Sequence, residues 1–221
     1  MSISGDFTSR AAATAVRSPA VTRPPGETPE ELYARAAGAL RLPPVAEWDT
    51  FPFDGDLTVR PLEPPVAEEP PRHGEGGVPC GACSRPDDAY LWTDEHWRLG
   101  SLPEPSGLPV VVLLEPRAHY DFADLPPERA QELGPLLLRV ERAVRSVGGI
   151  GCVHVGRWGD GGAHLHWWFL ARPERLTQLF GSFAAIWDDI LPPLPEEQWR
   201  ANLAAVAHSL AEGGGTAEGS R

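Results

Sequence analysis

The residues of this chain best suited to chemistry stand in one stretch, Gly159-Asp160-Gly161-Gly162-Ala163-His164-Leu165-His166-Trp167-Trp168-Phe169. Strand side chains alternate between faces, so an extended segment here puts His164, His166 and Trp168 on one face and Leu165, Trp167 and Phe169 on the other. At a rise of roughly 3.3 Å per residue the two imidazoles lie about 6.6 Å apart, near enough to serve one site without binding the same atom. The glycines ahead of them let backbone N–H groups of Gly161, Gly162 and Ala163 approach a ligand closely, which suits an anion such as phosphate. Two surface histidines on a strand, or half of a metal site, would show the same spacing.

A second candidate set is Pro79-Cys80-Gly81-Ala82-Cys83. C-x-x-C aims two thiolates at one point, either as half of a zinc site or as a redox pair. A thioredoxin-like pair follows a strand and opens a helix, and Ser84-Arg85-Pro86-Asp87-Asp88 is a poor helix opening, which favours zinc. Two thiolates leave tetrahedral zinc two ligands short, and imidazoles are the natural complement. His119, in Glu115-Pro116-Arg117-Ala118-His119, stands just past an apolar run where a loop would present it; a solvated loop histidine is the other reading. With Cys152 the cysteines number 3, an odd count that does not suit a secreted disulfide framework.

A chain of 221 residues has room for a real core, as one domain with extensions. Its net charge of -12 argues against a nucleic-acid groove, which needs a basic face, but not against a single nucleotide held by a few arginines and amides. No apolar run approaches the roughly 20 residues that span a bilayer, and no signal-peptide h-region is visible, so no membrane contact and a cytoplasmic location are expected.

The elements that must position these residues read as follows. Residues 1–27, rich in Ser, Thr, Ala, Pro and Gly, read as a disordered leader. Thr28-Pro29-Glu30-Glu31 starts a helix that Pro43-Pro44 ends, laid on the main domain by Trp48, Phe51 and Phe53; an extended, proline-rich segment follows to residue 78, with a linker or surface loop over 64–77. Residues 89–99 read as a hairpin around Thr93-Asp94-Glu95, and Val110–Leu114 as a central strand. The 3/4 spacing of Leu133, Leu136, Leu137, Val140, Val144 and Val147 predicts a helix over 127–147, kinked at Gly134-Pro135. Ile150–Trp158 reads as a strand that pairs with the His164–His166 strand as a hairpin. Apolar stripes predict helices over 173–190 and 195–212, and residues 213–221 read as a disordered tail.

Taken together, C-x-x-C, strand, E-P-R-x-H, helix, strand, glycine loop and H-x-H-x-W-x-x-x-R resemble the histidine-triad superfamily of nucleotide hydrolases and transferases. The resemblance covers 79–172 and departs from the family at the third triad position, where Trp168 replaces histidine. The galactose-1-phosphate uridylyltransferase branch also lacks that histidine, with glutamine in its place. Asp160 and Gly161 stand where the loop before the triad is commonly polar.

The resemblance implies an α+β fold: an antiparallel sheet of about five strands, the 127–147 helix on one face, and a C-terminal helical pair. It implies a structural zinc held by Cys80, Cys83, His119 and His164, and His166 as nucleophile toward an α-phosphorus. It also implies Gly161, Gly162, Ala163, Trp168, Arg157 and Arg172 around a nucleotide or nucleoside-phosphate substrate, and a homodimer. A non-catalytic scaffold stapled by zinc, binding a nucleotide or a protein, is the alternative that Trp168 and the altered loop favour.

Overall fold

The computed structural model describes residues 27, 31, 32, 35, 53, 54, 58, 59, 68–177, 179 and 181–218. The expected leader, save Glu27, and the packing of Trp48 and Phe51 lie outside the described residues.

Six strands form one antiparallel sheet: β3 (Trp92–Thr93), β4 (Trp97–Ser101), β5 (Val111–Pro116), β6 (Ile150–Gly156), β7 (Trp167–Pro173) and β8 (Thr216–Ala217), in the order β6-β7-β5-β4-β3-β8. A separate two-stranded ribbon joins β1 (Phe53–Asp54) to β2 (Thr58–Val59). The uninterrupted apolar run Val110–Leu114 becomes β5 because both of its faces are covered, as such a run requires. β3 and β4 form the expected hairpin, its turn closed by Asp94, whose carboxylate accepts from the amides of His96 at 2.8 Å and Trp97 at 2.7 Å. β6 and β7 pair as foreseen, with Gly156 opposite Trp168 and His154 opposite Leu170.

Neighbouring residues of β5 point to opposite faces and sort the core in two. Val112 and Leu114 join Phe169 and Ala171 under the long helices α2 (Pro127–Arg145) and α4 (Glu196–Ala211), which supply Val140, Val144, Val206 and Leu210. Val111 joins Leu170 in a smaller cluster on the other face, covered by Leu108, Leu179, Leu191 and, from the N-terminal segment, Leu32. Glu31, Leu32 and Arg35 are helical, in line with the expected first helix. Arg35 ties that helix down: it pairs with Glu27 at 2.9 Å and donates to the carbonyls of Gly107 at 2.7 Å and of Pro192.

Three stretches differ from expectation. The sheet has a sixth strand where a disordered tail was expected. Gly214 and Gly215 adopt φ of 110° and 84°, which returns the chain from α4 so that Thr216 pairs with Thr93. A Cβ at Gly215 would come within 2.5 Å of the Trp92 ring, so that close approach requires glycine. The predicted helix over 173–190 survives only as α3 (Ala184–Ile190), after a 3-10 turn at Gly181–Phe183. Arg175 with φ 65° and Gly181 with φ 59° break the helical path that the apolar spacing suggested. The His strand also starts late: regular strand begins at Trp167, so His164 and His166 sit in irregular backbone just before it. Among the described residues no helix is long and apolar enough to cross a membrane.

Candidate metal centre and the adjoining cleft

Cys80 caps a single helical turn, α1 (Gly81–Ser84), which brings the two thiols of C-x-x-C to one side. His119 follows the end of β5, and His164 precedes β7, the strand paired with β5. The chain thereby gathers Cys80, Cys83, His119 and His164 with their ligand atoms all within 4.8 Å of one another. Cys80 Sγ is 3.5 Å and Cys83 Sγ 3.4 Å from His164 Nδ1, and Cys83 Sγ is 3.3 Å from His119 Nδ1. Zinc bonds of about 2.3 Å to sulfur and about 2.0–2.1 Å to nitrogen, at a tetrahedral angle, separate S and N by about 3.5 Å. The donor set and its spacing both fit zinc.

The surroundings agree. His164 is buried, and its Nε2–H donates to the Pro116 carbonyl at 2.8 Å, which leaves Nδ1 as the lone-pair nitrogen facing the sulfurs. Burial holds the His164 pKa below the ordinary histidine value, which keeps the ring in the neutral form that a metal needs. Burial and the neighbouring Cys80 thiol push the Cys83 thiol up to about 11, so binding a cation there must expel a proton. Gly74, at φ 93°, passes so close to His119 that a Cβ would lie 2.7 Å from the ring.

The turn that carries the cysteines has its own support, which sequence reasoning did not find. Arg98 and Glu115 form a buried ion pair at 3.2 Å across β4 and β5. The Arg98 guanidinium also donates to the carbonyls of Ala82 at 3.3 Å and Arg85 at 3.4 Å, and lies 4.4 Å from the Tyr90 ring centroid. The Tyr90 hydroxyl donates to Glu115, and burial, with that hydrogen bond second, pushes its pKa well above the ordinary value. The only sequence trace of this network is a charged residue at a strand position opposite another charge.

His166 stands beside the quartet but outside it. Its Nδ1–H donates to the carbonyl of His164 at 2.8 Å; a carbonyl only accepts, so this bond assigns the proton to Nδ1 and the lone pair to Nε2. The side chain lines a cleft of about 240 Å³ with Gly162, Arg85, Ser101 and His73 on its wall. Among the described residues nothing lies within 4 Å of where a Cβ of Gly162 would be, so the loop there leaves open space.

The remaining predicted site residues fare differently. Gly161 and Ala163 are joined to the segment ahead of the cysteines: the His73 N–H donates to the Gly161 carbonyl at 3.2 Å, and the Ala163 N–H donates to the His73 carbonyl at 2.9 Å. The Ala163 amide expected to face a phosphate is therefore already occupied. Arg157 lies on the same loop, but its guanidinium pairs with Asp121, beside Arg72, and is not on the cleft wall. Trp168 packs into the smaller core cluster, its Nε1 buried without a partner among the described residues, with its ring 6.3 Å from that of His166. Arg172 lies toward the far end of β7, six residues or about 20 Å of strand beyond His166, and donates to the Pro173 carbonyl at 2.9 Å. The family spacing placed Trp168 and Arg172 at the site, and Arg157 was expected as a counter-charge. Ion pairing and distance take the two arginines away from the cleft, while Trp168 stays beside His166 without lining it.

No protein-family model matches the sequence, and no curated protein matches it either. The structure is similar to solved histidine-triad proteins. One from Sinorhizobium meliloti 1021 is 18% identical with a TM-score of 0.45, the match covering 54% of this chain and 87% of that one. One from Bradyrhizobium japonicum is 16% identical with a TM-score of 0.45, covering 55% and 89%. A Zn-bound histidine-triad family protein from Mycobacterium smegmatis is 21% identical with a TM-score of 0.39, covering 56% and 86%.

Proposed function

We propose that this protein is a nucleotidyl hydrolase or transferase that works through a covalent nucleotidyl-histidine at His166, on a scaffold held by a structural zinc. The observation that carries the proposal is the hydrogen bond from His166 Nδ1–H to the His164 carbonyl. It holds the ring on the cleft wall in the one tautomer whose Nε2 carries a lone pair, the form a nucleophilic imidazole needs. In-line attack of Nε2 on the α-phosphorus of a nucleoside phosphate forms the P–N bond as the bond to the leaving group breaks. Water or an acceptor phosphate then takes the nucleotidyl group. Charge developing on the phosphoryl oxygens needs fixed positive partners; Arg85 and the open backbone at Gly162 are the wall features suited to that work.

Zinc, when bound by Cys80, Cys83, His119 and His164, takes all four of its ligands from the protein and so leaves no open position for substrate. Its contribution is to pin α1, the end of β5 and the approach to β7 together, which sets the place of His166. This reading puts the protein in a reducing compartment, the cytoplasm, where Cys80 and Cys83 remain thiols available to a metal. The sheet edge at β6 is where a second copy would pair to make the homodimer.

The test is mass spectrometry of the intact protein after incubation with a mixture of nucleoside di- and triphosphates and nucleoside phosphate esters. A mass increase of one nucleotidyl group (a nucleoside monophosphate less one water), mapped to His166 and absent from His166→Ala, is the expected result. Binding without adduct or turnover would leave a zinc-stapled, non-catalytic scaffold instead.

A further inference from the structure

The cleft beside His166 has on its wall one more histidine outside the metal quartet. His73 belongs to the stretch that its prolines, charges and glycines mark as a surface loop, yet it lines the same space as His166, Gly162 and Ser101. Its two backbone hydrogen bonds, to Gly161 and from Ala163, stitch it to the glycine loop. Arg72, just before it, pairs with Asp121 at 2.7 Å and donates to the Gly159 carbonyl at 3.0 Å. The loop that sets the place of His164 and His166 therefore sets the place of His73 as well.

Phosphoryl transfer at His166 needs a proton donor for the departing group, and the wall offers few. Cys80 and His164 belong to the metal quartet. Glu115 is buried and accepts from both Tyr90 and Arg98. An arginine such as Arg85 does not release its proton in water near neutrality. His166 has one nitrogen bound to a carbonyl and needs the other for attack. Ser101 offers only an alcohol hydroxyl, a poor acid, so among the described residues of the wall this leaves the exposed His73 imidazole as the group suited to hand over a proton.

We infer that His73 is the general acid and base of this site, a role that rests on the nucleotidyl-transfer reading above. In the first step His166 Nε2 bonds to phosphorus, the bond from phosphorus to the leaving oxygen breaks, and that oxygen takes a proton from the His73 imidazolium. In the second step the neutral His73 ring takes a proton from water as the water oxygen bonds to phosphorus. The P–N bond to His166 breaks, and a nucleoside monophosphate is released. A built-in acid points to the substrate class: nucleotides esterified to a group too basic to depart unprotonated, an alcohol rather than a phosphate chain.

The experiment is a leaving-group series. Adenosine 5′-monophosphate esters of phenols, from nitrophenol to unsubstituted phenol, are turned over by wild type, His73→Gln and His73→Ala, with zinc content and melting temperature measured on each. If His73 protonates the leaving group, the first-step rate of His73→Gln, read as phenol released as the adduct forms, matches wild type within about threefold on the nitrophenyl ester and falls by about 100-fold or more on the phenyl ester. Release of nucleotide from the adduct slows alike for every ester. Added imidazole then restores part of the His73→Ala rate on the phenyl ester. Equal losses of that first-step rate across the series, or no loss, in variants that keep zinc and melting temperature would overturn the role of His73 while leaving His166 in place. No turnover of any ester by wild type, with no adduct on His166, would overturn the nucleotidyl-transfer reading and the His73 role with it.

Discussion

His164 and His166 lie two residues apart and are held in opposite tautomers. His164 donates from Nε2 to the Pro116 carbonyl and turns Nδ1 toward two sulfurs; His166 donates from Nδ1 to the His164 carbonyl and keeps Nε2 for the cleft. One ring is buried and sits in a quartet; the other is half-buried on the wall of a cavity. The same side chain is thus suited to be a metal ligand or a nucleophile according to which carbonyl it meets. The identity of the residue does not decide the role; the acceptor opposite it does.

The comparison can be broken most sharply at His166. His166→Ala is expected to abolish the adduct and lower turnover by about 1,000-fold or more while zinc content and melting temperature stay at wild-type values. Activity that persists in this variant would show that the two rings do not divide the work as their tautomers suggest.

Removing the quartet should do the opposite. Cys83→Ser and His164→Ala are each expected to lose zinc and roughly 3 kcal/mol or more of stability, because metal bound only to the folded chain contributes folding free energy. For a chain of this size that is a fall of about 10 °C in melting temperature. Metal analysis and thermal denaturation on the same samples check it; a zinc-free wild type of unchanged stability would remove the metal from this account.

A smaller effect should appear with pH in chelator-treated protein. Burial lowers the pKa of His164 in the folded state relative to the unfolded chain, so the unfolded state binds more protons as the solution is acidified. The associated stability is present above the ordinary value of 6.5 and is lost as pH falls through the depressed folded value. Melting temperature measured from pH 8 down to 5 should fall by a few degrees in wild type and by less in His164→Gln. Equal slopes would mean that the ring is not held neutral by its surroundings.

The smallest expected change is at Trp168. Its indole packs against the smaller core cluster rather than lining the cleft, so Trp168→Phe should cost about 1 kcal/mol by denaturant titration and leave zinc content and adduct yield unaltered. A changed nucleotide preference would return Trp168 to the site.

Much of this was legible in the chain. The C-x-x-C turn, the apolar run of β5, the helix after it and the β6–β7 pairing are local patterns, written in spacing and turn residues a few positions apart. What was not legible came from contacts between distant segments. Arg157 and Arg172 carry the right charge, and Arg172 stands at the spacing the family shows, but nothing in sequence says that Asp121 neutralises the first and that the second lies down the strand. His73 shows the converse. It lies in a stretch whose composition signals a solvated loop, and it reaches the cleft through two backbone hydrogen bonds that leave no mark on residue type.

Thr216 and Ala217 are a further case of the same kind. A short polar end rich in glycine carries no strand signal, yet it becomes β8 because the edge of β3 offers unpaired backbone groups and Gly215 can pass over Trp92. By itself the sequence determined which residues carry donor atoms, which segments alternate or repeat with helical period, and where turns are cheap, since these depend on covalent chemistry and on neighbours within a few residues. Only the tertiary structure decided which carbonyl faces each histidine, which arginine is paired with a carboxylate, and which loop lines the cleft. Those outcomes depend on burial and pairing among groups tens of residues apart, and that distance is set only when the chain folds.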